Sequence, residues 1–289
     1  MNNMKISLVL ATLGRDREVV DFLKSLMNQT YKNFELIIID QNKDGKLDAI
    51  VEFYKDCFDV KHVKVDFVGN ARARDYGIGL ACGRFVAFPD DDCTYERDVL
   101  EKVVAEFSMR KTLSILVAGS YTFLSSRFSI GVNSRKARYF SRFQMMGVEF
   151  TQFFDRNKID GKQFHLDHDF GIGSKYSGGE GFELLYRLLR AGNTAFYTPG
   201  IKIYHPDKDH YKLGTARMLM YSTGVGAYIR KFANQRDAFM LYYIVRKMFV
   251  VPLLKMLLAL VLFNPQKLAY SFYNLVGIWR GFLEYGREG

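Results

Sequence analysis

The chain has 289 residues, with 41 Lys and Arg against 31 Asp and Glu, a formal net charge of +10. A hydrophobic share of 48% and a charged share of 25% exclude general disorder, and 24 Gly with 5 Pro exclude collagen-like or linker-dominated chains. Three cysteines, Cys57, Cys82 and Cys93, contain no C-x-x-C pair, which argues against a disulfide framework or a cysteine zinc site.

The first apolar run, Ile6 to Leu10, is too short for a signal peptide and reads as a buried strand over 6–12; a cytosolic location goes with it. Val19, Phe22, Leu23 and Leu26 then recur at helical spacing over 16–27, with Asp16 and Glu18 in the first turn. FELIIID (34–40) is an almost unbroken apolar run, the pattern of a parallel strand buried on both faces. A helix over 47–57, a strand over 62–68, a helix over 70–82, a strand over 84–90, a helix over 95–109 and a strand over 114–121 follow. The alternation predicts an α/β chain, a Rossmann-like, mostly parallel sheet flanked by helices with right-handed crossovers.

Residues 122–175 read as irregular, aromatic and basic, and contain HLDHDFGIG. Residues 178–192 predict a helix opened by glycines, and 194–205 predict two short strands around a Pro-Gly turn. From 211 the pattern is helical and rich in Leu, Met, Phe and Tyr. Two domains are expected, 1–206 and 207–289. The charge divides unevenly between them: 12 Lys and Arg against 5 Asp and Glu after 206, hence +7 there and +3 before. Residues 248–263, interrupted by Pro252 and Lys255, would span about 24 Å as a helix, short of the ~30 Å hydrocarbon core. The C-terminal region is therefore expected to lie at a membrane interface rather than cross it, with an ordinary helical subdomain as the alternative.

In sheets of this type ligands bind at the carboxyl ends of the strands. Three polar clusters fall there: Thr12 with Arg15, Asp40-Gln41-Asn42, and Asp90-Asp91-Asp92. Three consecutive carboxylates repel one another, which calls for a cation, and oxygen ligands suit Mg²⁺ or Mn²⁺. Asp40 suits a ribose or base contact, or a cap for the loop after it. Arg72 and Arg74 could meet a diphosphate or balance the acidic triplet. Glu180, behind Gly178-Gly179, could serve as a general base or as a first-turn charge. His165 and His168, flanked by Asp167 and Asp169, have metal-like spacing but no further ligand set, and His205 alone suits a structural role. Neither a G-x-G-x-x-G after the first strand nor a G-x-x-x-x-G-K-[ST] is present.

The strings SLVLATLGR, LMNQTYKNFELIIIDQN, GNARARDYGIGLACGRFVAFPDDDC, GGEGFELLYRLLRAG and IYHP occur in that order over residues 5–206. On them the chain resembles the inverting family 2 glycosyltransferases of GT-A fold, of the bacterial surface-polysaccharide type. The resemblance implies that Thr12, Asp40, Arg74, Asp90 and Asp91 bind the nucleotide-sugar, with Asp40 near the base and Arg74 framing the donor site. It implies that Asp90 and Asp92 are the D-x-D pair holding a divalent metal, Mg²⁺ or Mn²⁺, and that His205 lies near that metal and the diphosphate. It implies that Glu180 is the catalytic base, although many members read Glu-Asp where this chain reads Glu180-Gly181. The expected activity is sugar transfer from a nucleoside-diphosphate-sugar to a hydroxyl of a lipid-linked glycan, at the cytoplasmic face of the membrane. Two other functions compete: transfer to a polyprenyl phosphate, which needs no base, and nucleic-acid binding, suggested by the net charge alone.

Overall fold

The computed structural model describes residues 4–123, 127–206 and 214–286. It forms two compact units, one of Met1–Leu166 with Leu184–Asp207, the other of Asp167–Glu183 with Lys208–Gly289. The segment Asp167–Glu183 thus groups with the C-terminal helices, although it precedes the expected boundary at 206.

The first unit is built on a nine-stranded sheet. Its strands are β1 (Ile6–Thr12), β2 (Phe34–Asp40), β3 (Asp59–Lys64), β4 (Phe85–Ala87), β5 (Thr94–Tyr95), β6 (Ile115–Tyr121), β7 (Arg138–Phe140), β8 (Gln152–Asp155) and β9 (Ala195–Tyr204). The order is β3-β2-β1-β4-β8-β6-β9-β5, with β7 also pairing β9. β3, β2, β1 and β4 are mutually parallel, as the apolar runs predict. β5, β7 and β8 lie outside the expected strands, and β8 runs antiparallel between β4 and β6. Residues 194–205 form one strand rather than two, because Pro199-Gly200 are absorbed as an irregularity opposite Ala118 and Gly119.

The period of two along β1 divides the helices between the faces. Ile6, Leu8 and Leu10 join a core with α1 (Arg17–Met27), α2 (Asp48–Lys55) and α4 (Val99–Met109). Val9 and Ile39 point the other way, against α3 (Asn70–Leu80), where a Cβ on Gly77 would come within 2.3 Å of Val9. Glycine at 77 therefore sets how closely α3 approaches the sheet.

α5 (Glu180–Arg190) has its first turn, to Glu183, in the second unit and the rest in the first; α6 (Thr215–Asn234), α7 (Phe239–Tyr243), a π-helical stretch (Ile244–Val250), α8 (Val251–Val261) and α9 (Pro265–Glu284) make up the remainder of the second unit. The helical tail agrees with the sequence pattern. α6 and α9 pack backbone to backbone: a Cβ on Gly226 would lie 1.9 Å from the Ile278 carbonyl, and one on Gly281 1.9 Å from that of Thr223. Lys231 ties the segment before α5 to α6, meeting Asp167 at 2.6 Å and Glu183 at 2.7 Å. Among the described residues no helix is long and apolar enough to cross a membrane.

Candidate active site

Strand register assembles the site in the first unit. Thr12, the last residue of β1, pairs with Asp40, the last of β2. Leu8 pairs with Ala87, so the chain leaving β4 through Phe88-Pro89 brings the acidic triplet beside the end of β1. Thr12 Oγ1 donates to Asp91 Oδ2 at 2.8 Å. Arg15 bridges Asp91 and Asp92, with Nη1 at 2.7 and 2.8 Å. Arg74, 1% exposed on α3, meets Asp90 at 2.7 Å and Glu149 at 2.7 Å. Arg72 instead stacks on the Phe67 ring at 4.0 Å.

His205 arrives by a separate route. The two-residue strand β5 pairs antiparallel with the end of β9, Thr94 opposite Tyr204, so the next residue of β9's path falls beside Asp92. His205 Nε2 is 3.3 Å from Asp92 Oδ1, its ring is stacked on Phe150 at 4.8 Å, and its side chain is 1% exposed. Nδ1 lies 2.8 Å from the Pro206 carbonyl. A carbonyl only accepts, so Nδ1 carries the proton, and in the neutral ring the lone pair is on Nε2 and faces the carboxylate. A proton on Nε2 or a metal ion bound by both atoms satisfies this contact. Ligand atoms of Asp90, Asp92 and His205 all lie within 4.8 Å of one another. Among the described residues Arg15 meets Asp91 and Asp92, and Arg74 meets Asp90 and Glu149. The donor set fits a divalent ion held by one imidazole and two carboxylates. Burial pushes the Asp91 pKa up to about 6, against the opposing pull of Arg15 and Thr12.

Asp40 is fully buried at the end of β2. The Asn42 backbone N–H and Nδ2 donate to its Oδ1 at 2.9 and 2.8 Å, and His62 Nε2 donates to Oδ2 at 2.8 Å. Burial alone would raise its pKa, but the bonds from His62 and Asn42 outweigh that and hold the carboxyl below its ordinary value. Asp40, Asp48 and His62 form the second acidic group with metal-like spacing among the described residues, yet Asp48 is already held by Lys64 at 2.5 Å. Asp40 is met by hydrogen bonds from Asn42 and His62, and Asp48 by Lys64.

Glu180 belongs to the second unit, where it is the first residue of α5 and 6% exposed. Gly178 and Gly179 before it have φ of +94° and +91°, a left-handed path open to glycine. That path runs against α6, where a Cβ on Gly224 would lie 1.9 Å from the Gly178 carbonyl. Glu183, one turn on, is fully buried and paired with Lys231. The HLDHDF motif behaves as a structural loop: Asp167 is the other partner of Lys231, and His165 Nδ1 donates to the Lys162 carbonyl at 3.1 Å. Sequence reasoning singled out neither His62 nor Glu149.

The family described as "Glycosyl transferase family 2" matches residues 7–177. An uncharacterized glycosyltransferase of Rickettsia conorii is 36% identical over 104 residues, covering 35% of this chain and 17% of that protein. The Escherichia coli protein named UDP-Glc:alpha-D-GlcNAc-diphosphoundecaprenol beta-1,3-glucosyltransferase WfgD is 24% identical over 173 residues, covering 58% of this chain and 67% of that one. Among solved structures, the mannosyltransferase PcManGT of Pyrobaculum calidifontis, in complex with GDP-Man and Mn²⁺, superposes with a TM-score of 0.66 at 14% identity, over 96% of this chain and 87% of that one. The mixed sheet with helices on both faces is accordingly the expected GT-A fold, and the chain belongs to the family 2 glycosyltransferases.

Proposed function

We propose that the chain transfers a glycosyl group, with inversion, from a nucleoside-diphosphate-sugar to a hydroxyl of a lipid-linked glycan in polysaccharide biosynthesis. The observation that carries this reading is the meeting of Asp90, Asp92 and His205 at the strand ends, their ligand atoms within 4.8 Å of one another. Asp90, Asp92 and His205 would hold Mg²⁺ or Mn²⁺; when bound, that ion would offset the charge growing on the departing diphosphate. Arg74 and Glu149 orient Asp90, and Thr12 and Arg15 orient Asp91 toward the donor. Asp40, fixed by His62 and Asn42, accepts a hydrogen bond from the base.

Glu180 takes the proton of the acceptor hydroxyl as that oxygen forms its bond to the anomeric carbon and the bond to the diphosphate oxygen breaks. Attack from the face opposite the leaving group inverts the configuration, through an oxocarbenium-like transition state. The WfgD name, which includes a diphosphoundecaprenol-linked acceptor, supports a lipid-linked acceptor here. We also infer peripheral attachment to the cytoplasmic face of the membrane through the C-terminal helices, whose apolar and basic sequence supports it.

The test is a panel of nucleotide-sugars screened for thermal protection with and without Mn²⁺, followed by transfer assays on lipid-linked saccharides. Protection by one donor only with the ion present, and transfer lost in Asp92→Ala, are the expected results. Undiminished turnover in EDTA would refute the metal role. Transfer to labelled polyprenyl phosphate in preference to a saccharide would replace the hydroxyl acceptor.

A further inference from the structure

We propose that α8 and the turn that follows it form the docking surface of this chain for a bilayer of anionic phospholipid. The proposal deepens the membrane attachment inferred above and rests on that reading.

α8 reverses the usual distribution of a surface helix. Of Val251–Val261, only Pro252 and Ala259 are buried. Leu253, Leu254, Leu257, Leu258, Leu260 and Val261 are each 55–66% exposed. A helix apolar on nearly every side is stable inside a core or in lipid, and contiguous exposed surface of this kind marks an interaction site. The helical path that leads into it from Phe239 carries Arg246, Lys247 and Lys255, and no described helix is long and apolar enough to cross a membrane, so α8 suits partial burial in the plane of the interface.

The turn adds a second observation. The Phe263 N–H donates to the Leu260 carbonyl at 3.0 Å and the Asn264 N–H to that of Ala259 at 2.9 Å, closing the helix. Phe263 has φ +48°, the left-handed position that glycine ordinarily fills at a helix end. It is also 93% exposed. A costly backbone conformation and a fully wetted aromatic ring coincide at one residue, and neither is explained by packing within the chain.

Charge chooses the partner. The second unit has thirteen Lys and Arg against eight Asp and Glu. Residues 238–283 hold five of those cations, Arg246, Lys247, Lys255, Lys267 and Arg280, and no acid, so the rest of the unit is neutral. Among the described residues Arg246, Lys247 and Lys255 have no ion-pair partner. Burial and the repulsion of Arg246 and Lys255 lower the Lys247 pKa, which marks the three as neighbours. Pairing this face with a second copy would bring two uncompensated basic patches together. An anionic headgroup layer instead supplies the missing charge beside hydrocarbon for the leucines, with the Lys255 stem reaching back to the headgroups.

The test is co-sedimentation of the full chain with phosphatidylcholine vesicles and with vesicles carrying 30% phosphatidylglycerol. We expect binding to the anionic vesicles and at least tenfold less to the neutral ones. Phe263→Gly relieves the left-handed backbone, so it should keep or raise the melting temperature while weakening vesicle binding at least threefold. Leu254→Gln with Leu258→Gln should weaken it at least tenfold with the melting temperature retained. Arg246→Gln with Lys255→Gln should abolish the preference for anionic vesicles. Wild-type binding that none of these variants weakens would overturn this docking surface while leaving membrane attachment standing. Absence of wild-type binding would overturn both. A dimer in solution that the leucine variants dissociate, with no vesicle binding, would assign the face to a second copy. Thermal protection by nucleotide-sugar reads the transfer function independently of all three results.

Discussion

Arg74 offers the sharpest test of how the site is held together. Replacing it with Met keeps much of the apolar stem but removes a cation that is 1% exposed and meets Asp90 and Glu149, each at 2.7 Å. Breaking a buried ion pair from one side costs about 3–5 kcal/mol, because the partner is left charged and dry. Asp90 keeps a third of its side chain in water, and Glu149 an eighth, which favours the lower end, about 3 kcal/mol. At roughly 2–4 °C per kcal/mol for a chain of this size, Arg74→Met should lower the melting temperature by about 6–12 °C. Scanning calorimetry in EDTA measures it. Adding Glu149→Gln removes one of the two orphaned charges and should recover about half of the loss. Millimolar Mn²⁺ should recover part of it too, by placing positive charge beside Asp90. A loss of about 2 °C or less, or a double variant as unstable as the single one, would refute the buried pairing of Arg74 with Asp90 and Glu149.

Three further outcomes are expected. His205→Phe keeps the stack on Phe150 but deletes Nε2, so it should fold normally and lose the Mn²⁺-dependent part of donor protection; retained protection would remove His205 from the ion site. Glu180→Gln should bind donor as the wild type does and lose at least a hundredfold in transfer to a hydroxyl acceptor, whereas full activity would exclude it as the base. Glu35, fully buried at β2, has a carboxyl at about 2: burial works to raise it, and Lys61, Ser7, the Cys82 N–H and Lys5 outweigh burial. Because the folded value lies below the unfolded one of 4.5, its contribution is complete above about pH 4.5 and disappears as the pH falls toward 2. That gap corresponds to about 3 kcal/mol, so acid unfolding of Glu35→Gln should be shallower than that of the wild type over this window; identical profiles would count against the buried network.

The strand ends that carry Thr12, Asp40 and the acidic triplet were legible because β1 and β2 are buried on both faces. An unbroken apolar run ends where the chain meets solvent, and its first polar residues mark the ligand edge of the sheet. What stayed hidden lacks such a run. β8 is four residues, Gln152–Asp155, with only Phe153 and Phe154 apolar. It becomes a central strand because β4 and β6 supply hydrogen bonds on both sides and Arg84 clamps Asp155 through Nε at 3.0 Å and Nη2 at 2.7 Å. β3 occupies Asp59–Lys64 rather than 62–68, a half-exposed edge whose register opposite β2 alone brings His62 to Asp40. Glu149 sits in a short 3₁₀ turn far in sequence from Arg74, which it meets beside the triplet. His205 is the intermediate case: its role followed from resemblance, whereas its place comes from β6, whose Tyr121 carbonyl accepts the His205 N–H at 2.9 Å, and from a two-residue strand, Thr94–Tyr95, that no periodicity could reveal. Local pattern therefore disclosed where the sheet ends, and long-range register decided which side chains meet there. A substitution that shifts register without touching the site makes the distinction measurable. Thr94→Pro removes the ladder N–H opposite Tyr204, so it should let the segment carrying Asp92 draw away from His205, which β6 still holds through Tyr121, and weaken Mn²⁺-dependent donor protection, while Asp40 stays in place. Protection unchanged in Thr94→Pro would mean that β5 does not hold Asp92 to the histidine.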